Sequence, residues 1–336
     1  MADFIVVICT YNGEQRLPAV IERLQSQAGT TDFTWQVVVI DNNSQDGTAA
    51  VVQRYQRQWP DFIRYEFEPR QGLAYARRRA MEVIDSAWVG FLDDDTFPDC
   101  HWVQAAYDFA REHPQVGAFG SRIRGQFEVT PPPNFQRIAA CLAIIDRGDR
   151  PFQYAPTRGV LPAGAGMVIR ADVWRQYVPE VPVLSGVCGT SLATKGEDVE
   201  SLSYIRKAGY AIWYNPAMQL WHQIPKERLS RCYLKRLFQG IGLSRYPLRM
   251  LNYRPWQRPL MTLIHGVNDG RKLVKYVWGN WRSLLLHQDL VIESEWMLHW
   301  SSFVSPLYFL KTQLRAKRFG RLRQGQLNWR RSPSGP

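Results

Sequence analysis

The sequence is short of cysteine, and what it has is scattered. Five cysteines stand at positions 9, 100, 141, 188 and 232, with no C-x-x-C pair. An odd, dispersed set excludes a disulfide scaffold and a zinc ribbon and points to a reducing compartment. No apolar run reaches the ~18 residues of a membrane-spanning helix. The chain enters a strand-like segment at once, so no secretory signal is expected. Neither G-x-G-x-x-G nor a Walker A motif occurs. Gly164-Ala165-Gly166 is too short for either and does not follow a first strand. Dinucleotide oxidoreductases and P-loop NTPases therefore lose their basis. Acids are missing from one region in particular: none follows Glu295.

What is present is a globular composition. The 336 residues are 45% hydrophobic and 21% charged, enough for a large core and about two domains. The net charge of +12 is unevenly spread. Residues 226–336 hold 21 Lys+Arg and 5 Asp+Glu, a net of +16; residues 1–225 hold 21 and 25, a net of −4. The basic third also carries six of the 13 tryptophans. Leu234, Leu237, Phe238 and Ile241 recur there at helical spacing, and the apolar stretch 296–310 is followed by Lys311, Arg315, Lys317 and Arg318. Trp-rich amphipathic helices with basic flanks favour an anionic membrane surface. A nucleic-acid partner is not expected, because the body would then have no reason to carry acidic strand ends.

The first half alternates strands and helices. Phe4 to Ile8, Val37 to Ile40 and Trp88 to Leu92 are apolar runs suited to strands buried on both faces. Ile63 to Phe67 alternates like an outer strand. Leu17, Val20, Ile21 and Leu24 have helical spacing, as does the stretch after Asp46. Helices are also expected over 73–84 and from Pro98 to near His113. The order predicts an α/β fold with an open, mostly parallel sheet and right-handed crossovers. Beyond the three prolines at 131–133, a strand is expected at 167–169, a helix at 171–177, a mobile loop over 181–196, a helix at 198–208 and a strand at 211–214.

Ligands bind outside the carboxyl ends of strands in such a sheet. Cys9 to Gly13 follow the first strand, Asp41 to Ser44 the second, and Asp93-Asp94-Asp95 the fourth. Three adjacent carboxylates repel each other and call for a cation. Alternate residues on an extended segment point the same way, so Asp93 and Asp95 can share one ligand. One or two carboxylates plus substrate phosphates is the usual Mg²⁺ or Mn²⁺ arrangement.

Several blocks resemble family-2 glycosyltransferases of GT-A fold, in the family's order and spacing. They are Val7 to Gly13, Val39 to Thr48, Arg70 to Arg77, Gly90 to Asp95, and Gly196-Glu197-Asp198 followed by Ala208-Gly209-Tyr210 and His222. The likeness covers residues 4 to about 225. At a finer level Phe127-Glu128-Val129, Trp213 to Met218 and Pro255 to Pro259 resemble the glycosyltransferases of hormogonium polysaccharide biosynthesis, which implies an exported polysaccharide product. The resemblance implies a catalytic domain over 1–225; beyond it, charge and helical spacing lead to the expectation of a basic helical extension over 226–325 and a disordered tail over 326–336. It implies an inverting, metal-dependent transfer from a nucleotide sugar, of the UDP class, to a hydroxyl of a growing or lipid-linked glycan.

The roles follow residue by residue. Thr10, Tyr11 and Asn12 would line the nucleotide pocket, Asp41 would pair with the base, and Arg77 would lie nearby. Asp93 would touch the ribose or a metal-bound water, with Asp94 between the two outer carboxylates. Asp95 would hold the divalent cation, Mg²⁺ or Mn²⁺, and His222 would complete it. Gly164 and Gly166 would let backbone approach the donor sugar. Asp198 would be the catalytic base. Locally, Glu197-Asp198 reads as an acidic helix start favoured by the macrodipole; its place among the ordered blocks favours catalysis. A sugar-phosphate nucleotidyltransferase would need a Gly-rich, basic loop after the first strand, and Cys9 to Glu14 has neither feature. The expected setting is cytoplasmic, peripheral on the membrane.

Overall fold

The structure, a computed structural model, describes residues 2–155, 160–188, 192 and 195–329, with side chains of the last helix as far as Thr312. Its elements run β1 (Phe4–Thr10), α1 (Leu17–Gln25), β2 (Trp35–Asp41), α2 (Thr48–Gln58), β3 (Ile63–Phe67), α3 (Leu73–Val83) and β4 (Trp88–Asp93). Then come β5 (Thr96–Pro98), α4 (Trp102–Glu112), β6 (Val116–Phe127), β7 (Phe152–Gln153), β8 (Met167–Arg170), α5 (Ala171–Tyr177), α6 (Glu197–Lys207) and β9 (Ala211–Ile224). The chain ends in α7 (Arg231–Met250), α8 (Arg258–Leu286) and α9 (Leu290–Trp329).

One nine-stranded sheet holds the body, in the order β3-β2-β1-β4-β8-β6-β9-β5, with β7 also on β9. The first four strands are parallel, β8 is antiparallel to both its neighbours, and β9 returns to run parallel with β6. The mostly parallel expectation holds. All seven residues of β1 are buried. Successive strand side chains point to opposite faces, and they feed two cores. Phe4, Val6 and Ile8 join α1, α2 and α4 on one face; Ile5, Val7 and Cys9 join α3, α5 and α6 on the other. A third core joins Phe135, Ile138 and Leu142 to Ile224 and to Leu234, Leu237 and Phe238 of α7. The helical third is thus anchored on the body by apolar packing.

Four strands depart from the sequence reading. β5, β6 and β7 were not expected, β5 taking Pro98 so that the helix opens at Trp102 instead, and β9 extends ten residues past Tyr214. Glycines and arginines blur the pattern of β6. In β9, Pro216 falls in an irregularity of register: Ser121 pairs with Asn215 and Arg122 with Gln219. A bulge of this kind is where a strand tolerates proline. Part of the loop expected to be mobile, residues 189–191 and 193–194, lies outside those described. Its earlier part is pinned: Val183 and Leu184 N–H groups donate to Glu200, and Leu73 N–H donates to the Val187 carbonyl.

No helix among the described residues is long and apolar enough to cross a membrane.

Candidate functional site

The parallel register carries the expected polar residues to one edge. Thr10 stands opposite Asp41, and Cys9 opposite Asp93. Neighbouring strands lie about 4.8 Å apart, so the three strand ends form one rim. The loop after β1 is bolted to the loop after β2. Asn12 N–H donates to Ser44 Oγ at 2.9 Å, Gln45 N–H to Asn12 Oδ1 at 2.8 Å, and Gly13 N–H to Thr48 Oγ1 at 2.8 Å. Asn12 takes a φ of +51° to make this turn, a conformation Asn tolerates better than most residues. Asp41 is buried at the rim's floor, where Ser44 N–H and the Tyr65 hydroxyl donate to its two oxygens at 2.9 and 2.8 Å.

The aspartate run sorts its members by side. Asp94 is buried; Arg16 grips both its oxygens at 2.9 Å, and the Thr10 hydroxyl donates at 2.6 Å. Both Asp94 and the Thr10 hydroxyl, expected at the donor, are therefore committed inside the protein. Asp93 is half-buried; its carbonyl accepts from Thr96 Oγ1 at 2.8 Å, and its carboxylate takes no hydrogen bond from any described residue. Burial and then the Asp95 charge push its carboxyl up. Asp95 goes the other way. Burial pushes it up, but its neighbours His222 and Arg228 more than reverse this and hold it below the usual carboxylate range.

A small antiparallel ladder brings Asp95 and His222 together. Thr96 pairs with His222, and Gln223 N–H donates to the Asp95 carbonyl at 3.0 Å. His222 Nε2 lies 3.5 Å from Asp95 Oδ1. Its Nδ1 is 2.9 Å from the Leu142 carbonyl, which can only accept. The proton therefore sits on Nδ1, and Nε2 offers its lone pair, the arrangement a metal-ligating imidazole needs. Arg228, six residues further on, stands on both groups. Its Nη1 donates to His222 Nε2 at 2.7 Å and its Nη2 pairs with Asp95. Among the described residues no group of three or more His, Cys, Asp and Glu could hold a metal ion. Two protein donors, a carboxylate and an imidazole, do fit a divalent cation whose other ligands are phosphate oxygens and water.

Across the site, Asp198 lies in the first turn of α6. Gly164 N–H donates to its Oδ2 and Val199 N–H to its Oδ1, both at 2.8 Å. Backbone thus orients the carboxylate, which has no ion-pair partner among the described residues. Glu197 is used differently: it is buried against Arg77 at 3.1 Å. Arg77 lies beside Phe91 and feels the charges of Glu197, Asp198 and Asp93, in that order. It belongs to this acidic group, not to the neighbourhood of Asp41. A Cβ on Gly164 would sit 2.2 Å from the Arg77 guanidinium, which would have to shift to admit it. Gly166 holds a φ of +69°, and its carbonyl accepts from Ser121 Oγ at 2.6 Å. Tyr11 stays on the partly open rim, its carbonyl accepting from Arg16.

Sequence reasoning missed Arg16, Glu197's ion pair and Arg228. Arg16 follows a loop already marked as important, so a search for the counter-charge of Asp94 could have found it. Nothing local marks Arg228 among 21 basic residues of its region.

The chain matches the model of glycosyl transferase family 2 over residues 5–175. It is 23% identical over 240 residues to the succinoglycan biosynthesis protein ExoM of Rhizobium meliloti (strain 1021), covering 69% of this chain and 71% of that protein. It is 37% identical over 90 residues to the lipopolysaccharide core biosynthesis glycosyltransferase LpsC of the same organism, 26% of this chain and 30% of that one. The chain spans less than a third of the length of the first curated relatives it matches. Its fold is similar to the mannosyltransferase PcManGT from Pyrobaculum calidifontis, solved with GDP-Man and Mn²⁺, at a TM-score of 0.59 and 16% identity. That match covers 92% of this chain and 87% of that one. A family match over half the chain, on a sheet whose strand ends gather these carboxylates, makes the protein a glycosyltransferase of family 2 with the GT-A fold.

Proposed function

We propose that the protein is an inverting, metal-dependent transferase. It moves a sugar from a nucleotide donor of the UDP class to a hydroxyl of a growing or lipid-linked glycan, in making an exported polysaccharide. The observation that carries this is the sorting of the carboxylates. Arginines neutralise Asp94 and Glu197 inside the protein. That leaves Asp93 and Asp198 with no arginine partner among the described residues, and Asp95 shared between His222 and Arg228, whose guanidinium a bound cation would displace.

The nucleotide lies over the rim of Tyr11, Asn12 and Asp41, with Asp93 toward the ribose and the Gly164–Gly166 loop toward the sugar. Asp95 and His222 Nε2 would hold Mg²⁺ or Mn²⁺, which would supply charge neutralisation for a leaving diphosphate. Arg228 occupies the same two atoms, so cation and guanidinium exclude each other there. Asp198 takes the proton of the acceptor hydroxyl as the new bond forms. Two backbone donors fix its orientation, and no ion-pair partner among the described residues competes for its oxygens. The likeness to ExoM supports the polysaccharide setting, and the basic third supports a peripheral place on the cytoplasmic membrane face.

Calorimetric titration with UDP, GDP and TDP, with and without Mn²⁺, tests the donor site on the wild type and on Asp95→Ala. The expected result is tight binding of UDP that needs both Mn²⁺ and Asp95. Failure of all three nucleotides to bind in the presence of metal sinks the proposal.

A further inference from the structure

Helix α8 is inverted for a helix in water. An amphipathic helix on a globular protein turns its apolar stripe to the core. The side of α8 that meets α7 and α9 is polar instead. Asp269 is the one buried residue in its 29, and it is paired with Arg249 of α7 at 3.0 Å. Thr262 bonds Tyr246, His265 bonds Tyr253, and the Tyr276 hydroxyl donates to Glu295 of α9 at 2.7 Å.

The opposite side is apolar. Leu260, Leu263, Val267, Val274 and Trp278 fall within about 60° of arc at 3.6 residues per turn, and all are exposed, Trp278 by 83%; Trp281, also exposed, follows the break in the helix at Asn280. Phe303 of α9 borders this stripe beside Gly270, and exposed Leu307 continues it. Arg271, Lys272, Lys275 and Arg282 are exposed on the same helix, and its single acid is the buried Asp269.

We infer that this stripe is a docking face for an anionic lipid bilayer. α8 lies in the interfacial plane, its leucines, valines and tryptophans in the acyl boundary and its cations among the headgroups. The charge pattern selects the occupant. Two copies packed stripe to stripe would bring their cations together with no exposed carboxylate on either α8 to pair them. An anionic surface supplies that missing charge. The inference rests on the peripheral-membrane part of the proposed function and names the surface that performs it.

Flotation of the full chain with vesicles tests it, using equal parts phosphatidylglycerol and phosphatidylcholine against phosphatidylcholine alone. The protein should float with the anionic vesicles only, with a blue shift of tryptophan emission. A variant carrying Leu263→Glu, Val267→Glu and Trp278→Glu should lose binding by at least about tenfold. It should keep the wild-type UDP and Mn²⁺ titration, which shows it folded and separates this result from the donor site. If the variant floats as well as wild type, the stripe is not the docking face and binding belongs to the basic segment at 311–323. If wild type ignores anionic vesicles, membrane docking itself is overturned. If wild type sediments as a dimer that the variant loses, and neither floats, the stripe joins two copies.

Discussion

The sheet body and helix α8 bury opposite kinds of side chain. All seven residues of β1 are buried, and α1 buries Leu17, Val20, Ile21 and Leu24. α8 buries one aspartate and exposes its leucines and tryptophans. The body obeys the rules of a protein in water, where removing apolar surface drives folding. α8 is held by the Asp269–Arg249 ion pair and by hydrogen bonds, and an apolar stripe of it stays exposed. The stretches that hold them also differ in charge, −4 for residues 1–225 against +16 for residues 226–336. They meet at Arg228, the one residue of the basic third shown here to bond Asp95 and His222 in the body's site.

The comparison can be sharpened by substitution. The largest effect belongs to the body: Asp198→Asn should lower the transfer rate by about 10²- to 10⁴-fold. Nucleotide titration should remain unchanged, because Asp198 acts on the acceptor; equal losses in both would make it a donor-binding residue.

Stability comes next. Arg77→Ala strands Glu197 in the interior and should cost about 3–5 kcal/mol. Ile8→Ala in the sheet core should cost about 2–5 kcal/mol. Denaturant melts measure both, and unaltered midpoints would contradict the buried pair and the core.

At the meeting point, Arg228→Gln should raise the affinity for free Mn²⁺ by about tenfold, or about 1.4 kcal/mol, read by electron paramagnetic resonance of unbound Mn²⁺. Weaker Mn²⁺ binding would show that Arg228 supports the cation and does not exclude it.

The smallest effect belongs to α8. Leu263→Gln should leave stability in solution within about 0.5 kcal/mol, as at an exposed position. A loss as large as that of Ile8→Ala would mean that the stripe is part of the core and would erase the contrast between the regions.

Much of the body was legible in the sequence. β1, β2 and β4 are unbroken apolar runs, and a strand buried on both faces has no other pattern. α1 showed its stripe directly. The site was legible as a set of strand ends, because short polar segments followed those runs. β6 was hidden because Gly117, Gly120 and Gly125 and its arginines break the alternation. The far half of β9 was hidden because Pro216 reads as a strand breaker and only the bulge admits it. The inversion of α8 was half visible: the periodicity of its leucines and tryptophans is in the sequence, but not the direction they face.

By itself, then, the sequence determined the alternation of strands and helices, the family, the acidic strand ends and the basic third. All of these are carried by neighbours in the chain or by periodicities of two and 3.6 residues. Tertiary structure alone decided which carboxylates are spent and which remain. Asp94 meets Arg16 across 78 positions, Glu197 meets Arg77 across 120, and Asp95 meets Arg228 across 133. The physical reason is that the free energy of a carboxylate depends on the charge and burial around it, and those are set by residues far away in sequence that the sheet brings within bonding distance.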